Sequence, residues 1–424
     1  MDQKQKAIVA GVNLRNQDAD FRHSMEELKG LAEACHLEVV GEVTQNLTNI
    51  HPAYYIGKGK IDELINLIDR TEAEQIIFND ELTPSQIRVL EDQFGLPVID
   101  RTMLILAIFA DRAQTREAQL QVEVARLEYM LPRLVGQRAY LSRQGGRAGL
   151  VNRGAGETKL ELDRRSIENK IAVLNKELEA LAAQRQTQRK QRRKSGLPLV
   201  SLVGYTNAGK STLMNAFVDH FQASAKKFVL EKDMLFATLD TSVRKISLAD
   251  NKTFLLTDTV GFISQLPHHL VKAFRSTLEE VVQADLLIHV VDYSDPRHQK
   301  LMEVTNQTLA DIGVKDTPVI YAFNKADLTE IEVPQVFHDT VYLSAKRKTG
   351  ISELARLIAK HVFRDYLQCE LLIPYDQGHI VAYFNKYAHV LGTDYGPDGT
   401  KLTVECRRHD FERYKQYAFV SERQ

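Results

Sequence analysis

One stretch constrains this chain more than any other. An apolar run, Leu199 to Val203, leads directly into Gly204-Tyr205-Thr206-Asn207-Ala208-Gly209-Lys210-Ser211-Thr212, and a helical pattern follows. A strand, a glycine-spaced turn and a helix in that order make a phosphate-binding loop. Backbone N–H groups close to the helix N-terminus wrap the phosphates, and Lys210 reaches the β and γ oxygens. The Ser211 hydroxyl is the expected magnesium ligand from this loop. Such a loop needs a mostly parallel sheet beneath it, with helices covering the strands.

The motif alone matches by chance, so its partners decide. Lys252 to Leu256 reads as a strand leading to Asp258-Thr259-Val260-Gly261. Asp258 is expected to hold magnesium through water, and the Gly261 N–H to sense a γ-phosphate. Leu286 to Val291 and Val319 to Phe323 read as buried strands, the second ending at Asn324-Lys325-Ala326-Asp327. The Asp327 carboxylate can accept two hydrogen bonds from the N–H groups of guanine. Adenine offers no such pair, which selects GTP over ATP, because polar groups left unmet in a site are costly. Ser344-Ala345-Lys346 follows the next strand and brings a backbone N–H to the guanine carbonyl. Five motifs in this order resemble the translation-factor-like GTPase class.

Phe236-Ala237-Thr238-Leu239-Asp240-Thr241 lies where that class carries its first switch. Thr238 is the expected contact to magnesium and γ-phosphate, with Thr241 second. Lys210, Thr238 and Gly261 are therefore the expected catalytic set, and Ser211, Thr238 and Asp258 the metal set. Phe262 follows Gly261 where Ras-like enzymes have a glutamine that orients the attacking water. Phenylalanine cannot do this, so a bound monovalent cation, another switch residue or a partner must supply the missing group. Asn207 resembles the potassium-assisted GTPases, which makes K⁺ one candidate. Slow basal hydrolysis accelerated by a partner is the expectation.

The rest of the chain is long enough for further domains: 424 residues suggest about three at roughly 150 each. Charge divides them. Residues 1–111 carry 10 Lys/Arg against 19 Asp/Glu, whereas residues 112–196 carry 19 against 9, and 14 of those 19 cations are arginine. Arginine's planar fork suits phosphates and stacked bases, so nucleic acid is the expected partner of the second segment. In the first segment, strands at Ala7–Val12, Leu37–Val43, Gln75–Phe78 and Pro97–Ile99 alternate with helices at Ser24–Cys35, Lys60–Asp69 and Pro84–Phe94. That alternation predicts a small parallel α/β domain. Gly57-Lys58-Gly59-Lys60 precedes a helix and reads as an ordinary helix start, although it could hold a phosphate.

In the basic segment, Leu120, Val124, Leu127, Leu131 and Leu134 recur at steps of three and four. Ile167, Ile171, Leu174, Leu178 and Leu181 repeat the pattern, with Leu160 one heptad earlier. Two narrow apolar seams predict an antiparallel helical hairpin, a coiled coil. The connection, residues 136–159, interleaves six glycines with Arg138, Arg143, Arg147 and Arg153. It reads as a flexible basic loop whose arginines would contact RNA phosphates. Residues 366–424 read as a small α+β unit with strands at Cys369–Ile373, Val390–Thr393 and Lys401–Cys406, and a closing helix at Asp410–Ala418.

The predicted architecture is thus α/β multidomain. It comprises a parallel N-terminal domain (1–111), a helical hairpin (112–196), a nucleotide domain with a mixed, mostly parallel sheet (197–365) and a C-terminal unit (366–424). Cys35, Cys369 and Cys406 are odd in number and widely spaced, which suits reduced thiols in the cytoplasm. The longest apolar run, Met103 to Ala110, would span about 12 Å as a helix, too short for a bilayer core of about 30 Å, so no membrane insertion is expected. A monomer is expected.

With the hairpin placed directly before the nucleotide domain, the chain resembles bacterial HflX from about residue 7 to 365. The resemblance rests on Tyr55-Ile56-Gly57-Lys58-Gly59-Lys60, Arg126-Leu127-Glu128-Tyr129, Gly145-Gly146-Arg147 and Gly154-Ala155-Gly156-Glu157-Thr158. Leu160-Glu161-Leu162-Asp163-Arg164-Arg165 and Gly204 to Ser211 complete it. It implies a ribosome-associated GTPase that binds the large subunit and its rRNA, splits stalled or idle 70S ribosomes under stress, and brings its hairpin tip toward the peptidyl-transferase region. Two alternatives stay open on the residues alone: an RNA remodeller using ATP through Lys58 and Lys60, and a coiled-coil scaffold for a protein partner.

Overall fold

The computed structural model describes all residues except 1–3, 15–17, 145–152, 195–196, 222–235, 237–241, 249, 251, 265–279 and 420–424. The chain divides into two compact units. The first runs to Gln191 and includes Phe236 and Val260–Ser264; the second holds the remaining described residues.

The first unit opens with the expected alternation. Strands β1 (Lys6–Leu14), β2 (Glu38–Leu47), β3 (Gln75–Phe78) and β4 (Val98–Asp100) form one parallel sheet in the order β2-β1-β3-β4. Helices α1 (Asp18–Ala34), α2 (Lys58–Thr71), α3 (Pro84–Phe94) and α4 (Arg101–Arg112) connect and cover them. β1 and β3 are buried almost throughout, as strands covered on both faces must be. Helix α3 starts where Thr83 and Pro84 predict: Thr83 accepts from the Gln86 N–H while the Gln86 side chain accepts from the Thr83 N–H, a capping box. The Met103–Ala110 run lies in α4, where Leu104, Ile105, Leu106, Ile108 and Phe109 are buried. It is a core helix.

Helix α5 (Arg116–Gln144) and helix α6 (Arg153–Lys194) form the arm. They run antiparallel: Arg116 binds Glu177 at 2.8 and 2.9 Å, Lys170 binds Glu123 at 2.5 Å, and Arg185 pairs with Glu117. On α6 the seam residues Ile167, Ile171, Leu174, Leu178 and Leu181 are half-buried while most of their neighbours are exposed. Helix α5 carries more than the seam. Besides Leu120, Val124 and Leu127, it buries Ala118, Val122, Ala125 and Tyr129, and it packs against α3 and α4. Its N-terminal half is thus part of the domain core as well as of the hairpin.

The expected long loop is corrected here. Residues 136–144 continue α5 and residues 153–159 begin α6, so only 145–152 separate the described helices. Arg138 and Arg143 are helical, and Arg153 is the first residue of α6; Arg147 lies outside the described residues. Each glycine in a helix costs about 1 kcal/mol relative to alanine, while the Gln, Arg, Ala and Leu between them are good helix formers that add little further cost. Helix α5 even continues through Pro132.

The second unit contains a seven-stranded sheet in the order β10-β11-β9-β8-β5-β7-β6. Its strands are β5 (Leu199–Val203), β6 (Ser242–Ser247), β7 (Thr253–Asp258), β8 (Leu286–Asp292), β9 (Val319–Asn324), β10 (Gln335–Phe337) and β11 (Thr340–Tyr342). The five inner strands are parallel, and β6 and β10 run antiparallel at the edges. Helices α7 (Lys210–Phe221), α8 (His298–Asp311) and α9 (Ile351–Val362) accompany it. Val200, Leu202, Phe217, Leu256, Ile288, Ile320, Leu354 and Ile358 belong to one buried core.

A three-stranded antiparallel sheet in the order β12-β14-β13 ends the chain, from β12 (Tyr366–Ile373), β13 (His389–Gly396) and β14 (Gly399–Arg407). Helix α10 (Gly378–Tyr387), which the sequence reading left out, and helix α11 (Arg408–Tyr414) pack on one face through Ile380, Phe384 and Phe411. Among the described residues no helix is long and apolar enough to cross a membrane.

Candidate nucleotide site

The site lies at the C-terminal ends of the parallel strands, where open α/β sheets bind ligands. β5 delivers Gly204, and α7 begins at Lys210. Between them the loop turns through two residues with positive φ, Asn207 at 60° and Gly209 at 92°. Gly204 has φ 147°, and a β-carbon there would sit 2.2 Å from the Val290 carbonyl oxygen. A β-carbon on Gly209 would come equally close to Asn324 Nδ2. These glycines are required by contact as well as by backbone angle. Tyr205, Thr206 and Ala208 are buried and Asn207 is exposed, with Thr212 half-buried in the first turn of α7.

Lys210 Nζ donates to the carbonyl oxygens of Gly204 at 3.1 Å and Tyr205 at 2.9 Å, so its ammonium is centred on the loop. Burial pulls its pKa down to about 8, against the opposing pull of Asp258. Beneath it, His289 on β8 is also buried; burial first, and then Lys210, lower its pKa to about 4, which keeps the ring neutral. The loop thus concentrates one positive charge in a dry setting, which suits a polyphosphate.

The expected magnesium ligands from this unit come together. Ser211 Oγ donates to Asp258 Oδ2 at 2.6 Å, joining the first turn of α7 to the end of β7. A hydroxyl and a carboxylate in direct contact are hard oxygen donors that fit Mg²⁺. Thr259 Oγ1 donates to the Leu202 carbonyl at 2.6 Å, which fixes the chain as it leaves β7. Val260 and Gly261 are buried in the segment that belongs to the first unit. Thr238 lies outside the described residues, as does Thr241.

The residues expected to recognise the base also assemble, with a connection that the motifs did not reveal. Asn324 Nδ2 donates to the Ala208 carbonyl at 2.9 Å, and Asn324 Oδ1 accepts from the Ala345 N–H at 2.9 Å. One side chain therefore ties the phosphate loop to the Ser344-Ala345-Lys346 turn. Lys325, at φ 59°, binds Asp292 at 2.7 Å. Asp327 is nearly buried and pairs with Arg347 at 2.9 Å. Arg347 was not expected; its side chain is largely exposed. Ser344 and Ala345 are buried, and Lys346 is exposed.

In the first unit, Phe262 and Ile263 are buried, and Phe109 on α4 meets Phe236 edge-on with ring centroids 4.7 Å apart. Arg101 donates to the Ser264 carbonyl at 3.2 Å, from inside a buried group that includes Glu27, Asn79 and Ser24. Phe262 thus serves packing, consistent with its inability to orient water. At the start of α2, Lys60 pairs with Glu63 at 2.6 Å and the Gly57 N–H is taken by Gln45 at 2.8 Å. This is the ordinary helix start; nothing in it favours an ATP site.

Three family profiles match in succession: "GTP-binding GTPase N-terminal" over residues 22–110, "GTP-binding GTPase Middle Region" over 112–192, and "50S ribosome-binding GTPase" over 199–325. A protein named GTPase HflX from Caldanaerobacter subterraneus subsp. tengcongensis is 44% identical over 414 residues, covering 98% of this chain and 94% of its own. The chain belongs to the HflX GTPase family. The HflX protein of Escherichia coli K12 is 40% identical, over 87% of this chain and 85% of its own. A solved GTP-binding protein from Sulfolobus solfataricus in complex with GDP, 23% identical, aligns over 85% of this chain and 99% of its own at a TM-score of 0.45. The chemistry is GTP hydrolysis.

Proposed function

We propose that this protein is a cytoplasmic, monomeric GTPase that docks on the large ribosomal subunit in its GTP form, splits stalled or idle 70S ribosomes under stress, and leaves after hydrolysis. What supports this reading is the pairing, in one chain, of a phosphate-loop GTPase domain with a long antiparallel helical arm whose sequence is rich in arginine. At 1.5 Å per residue, α5 alone is about 43 Å long. An arm of that reach, with Arg138, Arg143, Arg147 and Arg153 around its tip, suits an anionic crevice lined by rRNA.

Lys210 and the loop N–H groups bind and orient the phosphates. Ser211 and Asp258, with Thr238 from the first switch, hold Mg²⁺, which when bound neutralises charge on the β and γ oxygens. Asp327 and the Ala345 N–H select guanine. Gly261 links γ-phosphate to the chain that follows it, so that GTP and GDP favour different arrangements of the switch segments. Phe262 leaves the water-orienting group to a partner or to a bound K⁺, which makes the basal rate slow and the ribosome an activator.

Docking is tested by co-sedimentation with purified large subunits in the presence of a non-hydrolysable GTP analogue or GDP. The reading expects retention with the analogue, loss with GDP, and affinity that falls steeply as salt rises. Equal retention in both nucleotide states would contradict it.

A further inference from the structure

The small C-terminal unit holds two of the three cysteines, and the fold joins what the sequence keeps 37 residues apart. Cys369 on β12 stands opposite Val404, and Cys406 on β14 stands opposite Leu367, so the two are diagonal neighbours across one antiparallel pair. They belong to the cluster under α10 and α11, where Leu371, Ile373, Phe384 and Leu402 are also buried. Their sulfurs are 3.8 Å apart. Cys406 is wholly buried, whereas Cys369 is partly exposed. The third cysteine, Cys35, lies in the other unit, donates to the Leu104 carbonyl at 3.6 Å, and has its thiol pushed up to about 12 chiefly by burial.

The two thiols are unequal. The hydrogen bond from Cys406 lowers the Cys369 pKa, and the same bond together with burial raises that of Cys406. The outer sulfur is therefore the one that ionises, and it is the one a small oxidant can reach. The inner sulfur stands in contact with it.

We propose that Cys369 and Cys406 form a reversible dithiol site oxidised by hydroperoxides. The Cys369 thiolate attacks one oxygen of hydrogen peroxide, the O–O bond breaks, and the departing hydroxide takes up a proton as water. Cys369 is left as a sulfenic acid. The Cys406 sulfur then attacks the Cys369 sulfur, the S–O bond breaks, and the hydroxyl leaves with the Cys406 proton as a second water. Two thiols have lost two electrons and two protons, and one peroxide has become two waters. A disulfide requires sulfurs about 2.05 Å apart, and diagonal neighbours sit near or beyond the usual span between bridged α-carbons. Bonding therefore draws β12 and β14 together, and a strained bond of this kind is easily reduced. An external dithiol returns both cysteines to thiols, so the pair rests reduced and responds to peroxide.

The test uses the full-length protein treated with a modest excess of hydrogen peroxide, unfolded after quenching, and titrated for free thiols. The count falls from three to one, and dithiothreitol restores it. Peptide mapping finds a Cys369–Cys406 link within one chain. Cys369→Ser blocks the link. Cys406→Ser, which keeps a donor to Cys369, also blocks it and leaves a sulfenic acid on Cys369 that dimedone traps. Three free thiols after peroxide, a link involving Cys35 or a second chain, or no dimedone adduct in Cys406→Ser would each overturn the proposal.

Discussion

The Lys210 ammonium is buried, and its pKa is lowered to about 8, chiefly by loss of water. A bound polyphosphate favours the charged form and raises that pKa, so binding and protonation are linked. Affinity is full below pH 8 and falls as pH rises through about 8. Titration of GDP by calorimetry from pH 7 to 9 measures this, with proton uptake on binding near the upper end. At Gly209 the argument is steric. Alanine there would combine a φ of 92° with a β-carbon 2.2 Å from Asn324 Nδ2, breaking the bond to Ala208. Gly209→Ala should weaken GTP binding at least about tenfold, or 1.4 kcal/mol. Gly59→Ala, whose β-carbon meets nothing within 4 Å, leaves binding unchanged when both variants are titrated with GTP by calorimetry. Most of this site is legible in the sequence, because phosphate, magnesium and guanine each demand particular residue types at particular spacings. Asn324 as the brace between two loops, and Arg347 on Asp327, are not legible, since neither follows from local chemistry.

At the scale of elements, periodicity and caps carry far. Thr83-Pro84 marks the start of α3, and the seam residues of α6 mark its face. Isolated glycines mislead at the hairpin tip, where both helices continue beyond the expected loop boundaries. Helix α10 has no side-chain cap hydrogen bond and starts at a glycine, so nothing local announces it. Arg101 is another element-scale feature beyond sequence reading. It heads α4, pairs with Glu27 on α1, and reaches Ser264, 163 positions along the chain. Both charges are almost wholly buried. Arg101→Ala removes the guanidinium that pairs with Glu27 and should cost the first unit about 3–5 kcal/mol in denaturant unfolding, the usual cost of breaking a buried ion pair from one side. Arg101→Met combined with Glu27→Leu should recover much of that loss, since removing both charges is far cheaper than removing one. A double variant no better than the single one would show that the pair's other hydrogen bonds matter more.

Across the whole molecule, charge and function divide along the chain in parallel. An acidic α/β domain precedes a basic arm, and a nearly neutral GTPase domain follows. The family profiles break at nearly the same places as the composition does, near residues 111 and 197. The order is legible because each domain has its own chemistry. The assignment of Phe236 and Val260–Ser264 to the first unit is not, because it depends on packing between residues far apart in the chain. The central claim is that the basic arm and the GTP site work as one device on the ribosome. The most direct measurement is the GTP hydrolysis rate with and without purified large ribosomal subunits, for the full protein and for a variant with residues 145–152 replaced by a short linker. The account predicts a slow basal rate in both, strong stimulation of the full protein, and little stimulation of the shortened one. Equal stimulation of both proteins, or none of either, would contradict it.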